Sequence, residues 1–405
     1  MNCLFRALSN NTWQSCRRVS AFRAISFIFA LAFAFASGVF VRPALAVETI
    51  AKAAILVEMD TGAVLFEKNA DELLTPASMS KMMTIYMIFE RLRNGSLSLD
   101  DTFPVSERAW RNGGARSGSS TMFLEPGQRV RVEDLIQGII VQSGNDAAIV
   151  VAEGLASSEA AFADEMTAKA REIGLDKSTF KNATGWPDEG HLMTARDLAR
   201  LARRTIKDFP DYYRFYAEKE FTYNGIRQTN RNPLLYKNMG ADGLKTGHTQ
   251  TFGYSLTSTA VRGSRRLILV VMGLPSKMAR GKESERLLEW GFREFNNYAL
   301  FKAGEEVTKA DVWLGQKPSV PLLIGKDLTI TWPRKARRKM KVSVSYTGPI
   351  AAPVIKGAVV ARLTITAPGQ KTIQVPLTAG ENVPILGLIG RLGAALNFIL
   401  WGESG

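Results

Sequence analysis

The sequence predicts an α+β fold built on a central antiparallel sheet with helices, followed by a small all-β domain and a C-terminal amphipathic helix. Three observations carry this. Strand-like segments near Ala53 and beyond residue 240 enclose a helical middle; short alternating segments separated by Pro and Gly follow Phe301; and an apolar stretch of helical length closes the chain. At 405 residues, 46% hydrophobic and 22% charged, the composition excludes disordered and collagen-like classes.

Residues 1–23 hold four arginines and no acid, and 24–40 form an apolar run that ends near Ala44-Leu45-Ala46. A basic start, an apolar core and an A-x-A site describe a secretory signal peptide over 1–46, with an uncleaved membrane anchor as the competing reading. Removing it takes five arginines from the 52 basic residues and none of the 38 acids, so the net charge falls from +14 to +9. Cys3 and Cys16 leave with it. The mature chain is therefore expected to carry no disulfide or thiolate chemistry, and the charge gives no reason to expect a nucleic acid.

From Ala53, AAILVEMDTGAVLFEKNA reads as two strands around Asp60-Thr61-Gly62, apolar enough for a central hairpin. A long helix follows Pro76, with further helices over 132–141, 145–155, 159–173 and 194–206. Strands return at 241–247, 252–261 and 266–273, and a helix begins near Lys282. The expected division is a first domain over 47–301, a β-rich domain over 302–382 and a tail over 383–405. Within the β-rich part, Arg334 to Lys341 is the densest basic run, read as a solvated turn or as a contact for an anionic surface. In the tail, Gly387, Gly390, Arg391, Ala394 and Asn397 form a narrow small or polar stripe in an otherwise apolar helix. Such a helix suits a membrane interface, with packing against the β domain as the alternative.

Chemistry gathers at three short motifs. Thr75-Pro76-Ala77-Ser78-Met79-Ser80-Lys81 opens the long helix, with Thr75 as N-cap and Pro76 in the first helical position. Ser78 then lies in the first turn, where free N–H groups favour an oxyanion, and Lys81 stands three residues on along the same face. A lysine kept neutral by burial or by a nearby cation can act as base for that serine. Ser143-Gly144-Asn145 falls between two helices and offers a hydroxyl for proton relay and an amide for a substrate carbonyl. Lys245-Thr246-Gly247 lies on a strand; the lysine would attract a carboxylate, and the glycine would let a substrate approach the strand edge. S-x-x-K alone is weak, since Ser178 to Lys181 repeats it.

The order S-x-x-K, S-x-N, K-T-G, spaced by 65 and 102 residues, resembles the signature of penicillin-binding proteins and serine β-lactamases. The chain is similar to the low-molecular-mass penicillin-binding proteins that are serine-type D-alanyl-D-alanine carboxypeptidases: through Ala53 to Phe295, including NGIRQTNRNPLLY at 224–236 and KTGHT at 245–249; through the β-rich domain; and through the tail. The resemblance implies a serine β-lactamase/transpeptidase-like catalytic domain and no cofactor or metal. The implied substrate is the peptidoglycan stem pentapeptide, with β-lactams as inhibitors. The implied place is the periplasmic face of the bacterial inner membrane, held by the tail.

It also implies roles. Ser78 is the nucleophile and Lys81 its base; Ser143 relays a proton and Asn145 orients the substrate. Lys245, Thr246 and Thr249 bind the terminal carboxylate, with Gly247 at the strand edge, and the N–H groups of Ser78 and His248 form the oxyanion hole. Gly113 to Glu125 either overhangs the site or is an ordinary flexible loop. Asn182-Ala183-Thr184-Gly185 is similar to a stretch in which some family members carry histidine where Thr184 stands. Arg280 and Lys282 would add positive potential and stand outside the predicted site.

With His191 and His248 the only histidines, and no H-E-x-x-H or G-x-S-x-G, a zinc peptidase or an α/β-hydrolase is poorly supported. A β-lactamase would need an acid to activate the deacylating water, and none is evident between the second and third motifs. An inactive envelope-binding module with the same fold is the remaining rival from another class.

Overall fold

The computed structural model describes residues 47–401, so the expected export segment lies outside the described residues. β1 (Ala53–Glu58) is buried at every position because both faces of its sheet are covered. It turns at Asp60-Thr61-Gly62 into β2 (Val64–Lys68). A 3₁₀ turn (Ala77–Ser80) then runs into α1 (Lys81–Arg93), the long helix expected after Pro76. The small hairpin of β3 (Thr102–Pro104) and β4 (Arg129–Arg131) brackets α2 (Glu107–Gly113). Next come α3 (Val132–Gln137), a π-helical turn (Gly138–Gln142), α4 (Asn145–Ala156), α5 (Glu159–Glu172) and α6 (Ala195–Asp208). These match the expected helices, and α5 and α6 begin at Ser158 and Thr194 caps whose side chains accept backbone N–H bonds.

A second small hairpin, β5 (Glu220–Tyr223) with β6 (Ile226–Thr229), precedes the long strands β7 (Ala241–Thr249), β8 (Gly253–Arg262) and β9 (Arg265–Leu274). The sheet order is β2-β1-β9-β8-β7, antiparallel throughout. The hairpin expected at its centre stands at one edge instead: β2 has a single neighbour, and its charged residues Glu67 and Lys68 face solvent or the rim. β7, which carries K-T-G, is the opposite edge. Ile55, Val57, Ile268 and Val270 face the helical lobe and share its core, while Leu56 and Leu267 face α7 (Lys277–Glu294). That helix starts before the expected Lys282 because Ser276 caps it through the N–H of Ala279.

Residues 295–301, read from sequence as the end of the first domain, form β10 (Phe295–Phe301). The segments that follow are β11 (Glu306–Trp313), β12 (Ser319–Ile324), β13 (Leu328–Pro333), the single turn α8 (Arg334–Arg337), β14 (Lys341–Ser345), β15 (Ile350–Ala351), β16 (Val359–Thr366) and β17 (Ile373–Ala379). β10 pairs with β13, and so belongs by its hydrogen bonds to the β-rich part. The other strands form a six-stranded sheet, β14-β16-β17-β12-β11-β15, over a core of its own around Leu322, Leu363 and Leu377. α9 (Leu388–Trp401) ends the described chain with Leu388, Ile389, Leu392, Leu396 and Ile399 between 59% and 88% exposed. Among the described residues no helix is long and apolar enough to cross a membrane.

Candidate active site

The turn that carries Ser78 differs from the expected helix start. Thr75 is not its cap and Pro76 is not its first residue; Pro76 takes the N-cap place, and Ala77 follows in the left-handed region at φ +49°. A non-glycine residue held there is strained, and strain of this kind collects at functional turns. Ser78 thereby faces a cleft of about 540 Å³. Lys81, at the first position of α1, is fully buried, and its Nζ lies 3.1 Å from Ser78 Oγ and 2.6 Å from Asn145 Oδ1. It also donates to the carbonyl of Thr184. Burial, and then the Arg231 guanidinium, bring its pKa down to about 7, against the opposing pull of Asp146 and Glu159. At neutral pH a large share of Lys81 is therefore an uncharged amine.

Ser143 sits at φ +66° where the π-helical turn meets α4, with its Oγ buried, unpartnered among the described residues and bordering the cleft. Asn145 follows at the first position of α4; its Nδ2 donates to Ser119 Oγ at 2.9 Å and its N–H to the Ser120 carbonyl at 2.7 Å. The 113–125 loop does flank the site. Asp146, one residue beyond the S-x-N motif, holds it by accepting from Thr121 Oγ1 at 2.5 Å and from the N–H groups of Met122 and Leu124. Sequence reasoning passed over Asp146, although an acid in a helix first turn is where free N–H groups gather.

Thr246, Gly247 and His248 form the opposite wall with Tyr254, Lys277 and Arg280. Gly247 lines the cleft on the edge strand and has a second use in packing. A Cβ there would sit 2.8 Å from the Pro76 carbonyl and 3.2 Å from Met79 Cγ, so the glycine lets β7 pack against the Ser78 turn. Lys245 is 2% exposed, and among the described residues its Nζ reaches only the Thr246 carbonyl, at 3.3 Å. Burial first, and then Lys81, Arg231 and Arg280, hold it well below an ordinary lysine. The His248 ring is exposed and stacks on Tyr254, while Thr249 accepts from Phe252 N–H in the turn after β7 and does not line the cleft. Arg280 is buried in the wall and donates to the Arg231 carbonyl, whereas Lys282 is exposed and outside it. Arg231, which the sequence reading left unassigned within NGIRQTNRNPLLY, donates to Ser120 Oγ across the cleft mouth.

The second S-x-x-K copy is elsewhere: Ser178 Oγ donates to Asp197 at 2.8 Å, as a buried structural serine does. His248 lines the cleft with Ser78, and no hydrogen bond joins either histidine to Ser78 among the described residues. His191 is buried, its Nδ1 accepts from Lys181 N–H, and burial brings its pKa down to about 4. Among the described residues, the lining of the cleft contains three cations and no acid. The arrangement thus joins a hydroxyl beside a deprotonatable amine, a second hydroxyl without a partner among the described residues, and a region of clustered basic side chains suited to a carboxylate. A larger hollow of about 710 Å³, lined by Tyr346, Val359 and Arg362 in the β-rich part, holds none of these groups.

Comparison with known proteins gives the same picture over nearly the whole described chain. Residues 41–276 match the family model described as D-alanyl-D-alanine carboxypeptidase, and 295–384 match the penicillin-binding protein 5 C-terminal domain. D-alanyl-D-alanine carboxypeptidase DacC of Escherichia coli (strain K12) is 42% identical over 345 residues, 84% of this chain and 86% of that one. Penicillin binding protein 5 from Haemophilus influenzae superposes with a TM-score of 0.74 at 35% identity, over 84% of this chain and 99% of that one. Penicillin-Binding Protein D2 from Listeria monocytogenes, solved in an ampicillin-bound form, superposes with a TM-score of 0.53 at 30% identity, over 61% and 99%.

Proposed function

This chain belongs to the D-alanyl-D-alanine carboxypeptidase family of low-molecular-mass penicillin-binding proteins, and from that premise we propose how its residues divide the work. As a serine-type carboxypeptidase it removes the terminal D-alanine of peptidoglycan stem pentapeptides. Ser78 Oγ attacks the carbonyl of the penultimate D-alanine while Lys81 takes the hydroxyl proton. The C–O bond forms, and the C–N bond breaks as Ser143 passes a proton to the leaving amine. Lys245, with Thr246 and Arg280 beside it, holds the terminal carboxylate. Asn145 orients the peptide, and the N–H groups of Ser78 and His248 receive the oxyanion. Water then hydrolyses the ester: Lys81 takes a proton from the water as its oxygen bonds the carbonyl carbon, and passes that proton to Ser78 Oγ as the C–O bond to the serine breaks. A β-lactam acylates the same serine.

The observation that carries this reading is the Lys81 amine, buried, 3.1 Å from Ser78 Oγ and brought down to about 7. D-alanine release from a pentapeptide, with and without penicillin, tests it. Release blocked by penicillin and abolished in Ser78→Ala supports the assignment; release retained in that variant sinks it.

We further propose that residues 1–46 export the protein, that the catalytic domain ends near Glu294, and that α9 lies in the outer leaflet of the cytoplasmic membrane, on its periplasmic face. The exposed apolar row on α9 supports the last point. A chain truncated after Glu381 should leave the membrane fraction, and an unchanged membrane fraction counts against the anchor.

A further inference from the structure

Lys81 is held from three sides, and the third side is not part of any of the three motifs. Asn182 Oδ1 accepts three hydrogen bonds from the residues that follow it: Gly185 N–H at 2.8 Å, Thr184 Oγ1 at 2.9 Å and Thr184 N–H at 3.2 Å. Its Nδ2 donates to the Trp186 carbonyl at 3.1 Å. One side chain thus closes the chain on itself, as asparagine does in tight turns. The closed loop turns two successive carbonyls toward the first turn of α1. The Ala183 carbonyl accepts from Thr84 Oγ1 at 2.8 Å, and the Thr184 carbonyl accepts from Lys81 Nζ. Gly185, at φ +77°, lets the loop come this close: a Cβ there would stand 2.1 Å from the Ala77 carbonyl in the nucleophile turn.

A neutral amine has two N–H bonds and one lone pair. Asn145 Oδ1 and the Thr184 carbonyl are both acceptors, so together they take the two N–H bonds and leave the lone pair for Ser78 Oγ. With either acceptor displaced, the amine can turn an N–H toward Ser78 and become a donor to the group it must deprotonate. The Thr184 side chain plays no such part, because its hydroxyl is occupied by Asn182 and by the N–H of Trp186.

We propose that Asn182 is a positioning residue for the reaction: by closing the 182–185 loop it aims the Thr184 carbonyl at Lys81 and so fixes the lysine lone pair on Ser78. This rests on Lys81 being the proton acceptor. The charged and titratable groups around Lys81 are Asp146 on α4, Glu159 on α5, Arg231, Lys245 on β7 and His191; of these, Glu159 accepts from Ala183 N–H in the loop at 3.1 Å and His191 accepts from Lys181 N–H beside it, while Asp146, Arg231 and Lys245 stand on other segments.

The test measures acylation by a fluorescent penicillin from pH 5 to 9 for the wild type, Asn182→Ala and Asn182→Asp, with melting temperatures alongside. Both variants lose the Nδ2 donor and differ in the acceptor oxygen. Asn182→Ala should lower the limiting acylation rate by about 10- to 100-fold with little change in penicillin affinity. Asn182→Asp should recover most of that rate and move the acid limb upward by about half a pH unit, since an added anion favours the Lys81 ammonium. The proposal is overturned if Asn182→Ala keeps the wild-type rate and limb, or if Asn182→Asp is no faster than Asn182→Ala. If Asn182→Ala does not fold, Asn182→Asp decides alone: an acid limb left in place overturns the proposal. A wild type with no acid limb near neutrality fails the Lys81 assignment itself, which is a different result.

Discussion

Glu58 and Lys245 are both kept from water, at 0% and 2% exposure, yet their surroundings are opposite. Glu58 ends β1 where the catalytic domain meets the β-rich part. Its Oε2 accepts from Thr61 N–H at 2.7 Å and Thr61 Oγ1 at 2.9 Å, and its Oε1 from Asn297 Nδ2 at 2.9 Å. Thr331 closes the ring through Thr61 and Asn297, so the carboxylate is bonded to both sides of the junction. Among the described residues Lys245 has one long bond to a neighbouring carbonyl and other cations for company. A buried ionisable group with its bonds complete holds a fold together; one with bonds missing is suited to a charge that arrives with a ligand. Lys81 lies between these cases, fully bonded but by acceptors that leave it a base.

The largest effect should come from Lys81→Met, which keeps the volume and removes the amine. Penicillin acylation should fall at least about 10³-fold, read by fluorescent labelling. Its pH signature is also specific. A lysine brought down to about 7 when folded and near 10.5 when unfolded binds more protons in the unfolded state between those values. Stability from this group therefore rises with pH across that window, and below it the folded state bears the full cost of the buried ammonium. In Lys81→Met the rise should flatten, as urea unfolding at pH 6 and pH 9 will show; an unchanged slope would mean that the wild-type amine is not desolvated.

Next in size is the junction. Glu58→Ala strands the Thr61 N–H and Asn297 Nδ2 in a buried place and should cost about 3 kcal/mol in urea unfolding. Acylation per folded molecule should stay as in the wild type, because the network touches no group of the cleft. A variant that loses acylation without losing stability would erase the contrast between the two regions. A smaller change, and in the cleft, is Gly247→Ala. The new Cβ must push back Pro76 or Met79, separating β7 from the Ser78 turn. Acylation should drop about 10-fold, with about 1–3 kcal/mol of stability lost to overpacking; normal acylation would show that the turn gives way freely.

The contrast also marks what could be read without coordinates. Ser78, Lys81, Ser143, Asn145 and Lys245 are legible because their chemistry lies in side chains of fixed type and order. The Thr184 carbonyl is not legible, since every residue has one and only the loop closed by Asn182 aims it. Asp146 and Arg231 needed the third dimension too: each acts on the 113–125 loop from a distant part of the chain. In the fold, the helices stood out by their periodicity and their Ser or Thr caps. The β-rich part began earlier than expected because FNNYALF continues an apolar pattern from α7 with no Pro or Gly between them. The Ser78 turn was misjudged because Thr75-Pro76 makes a good helix start, and only tertiary packing against Gly247 and Gly185 imposes the left-handed Ala77.

The finest distinction between the two regions is in protons. The Lys245 ammonium, disfavoured by burial and neighbouring cations, should gain in proton occupancy when a carboxylate settles beside it, because an opposite charge at close range favours the charged form. Binding should then draw protons from solution. Glu58 has its bonds from Thr61 and Asn297 and stands away from the cleft. Calorimetry of a pentapeptide binding to Ser78→Ala, near pH 7 in phosphate and in Tris, separates the cases: the observed heat should differ between buffers with the sign of net proton uptake, by up to about one proton per site. The same titration with Lys245→Met in the Ser78→Ala background should lose most of that difference along with much of the affinity. Buffer-independent heats in the parent would mean that Lys245 is already charged before the ligand arrives, and the cleft would then resemble the junction in needing nothing from outside.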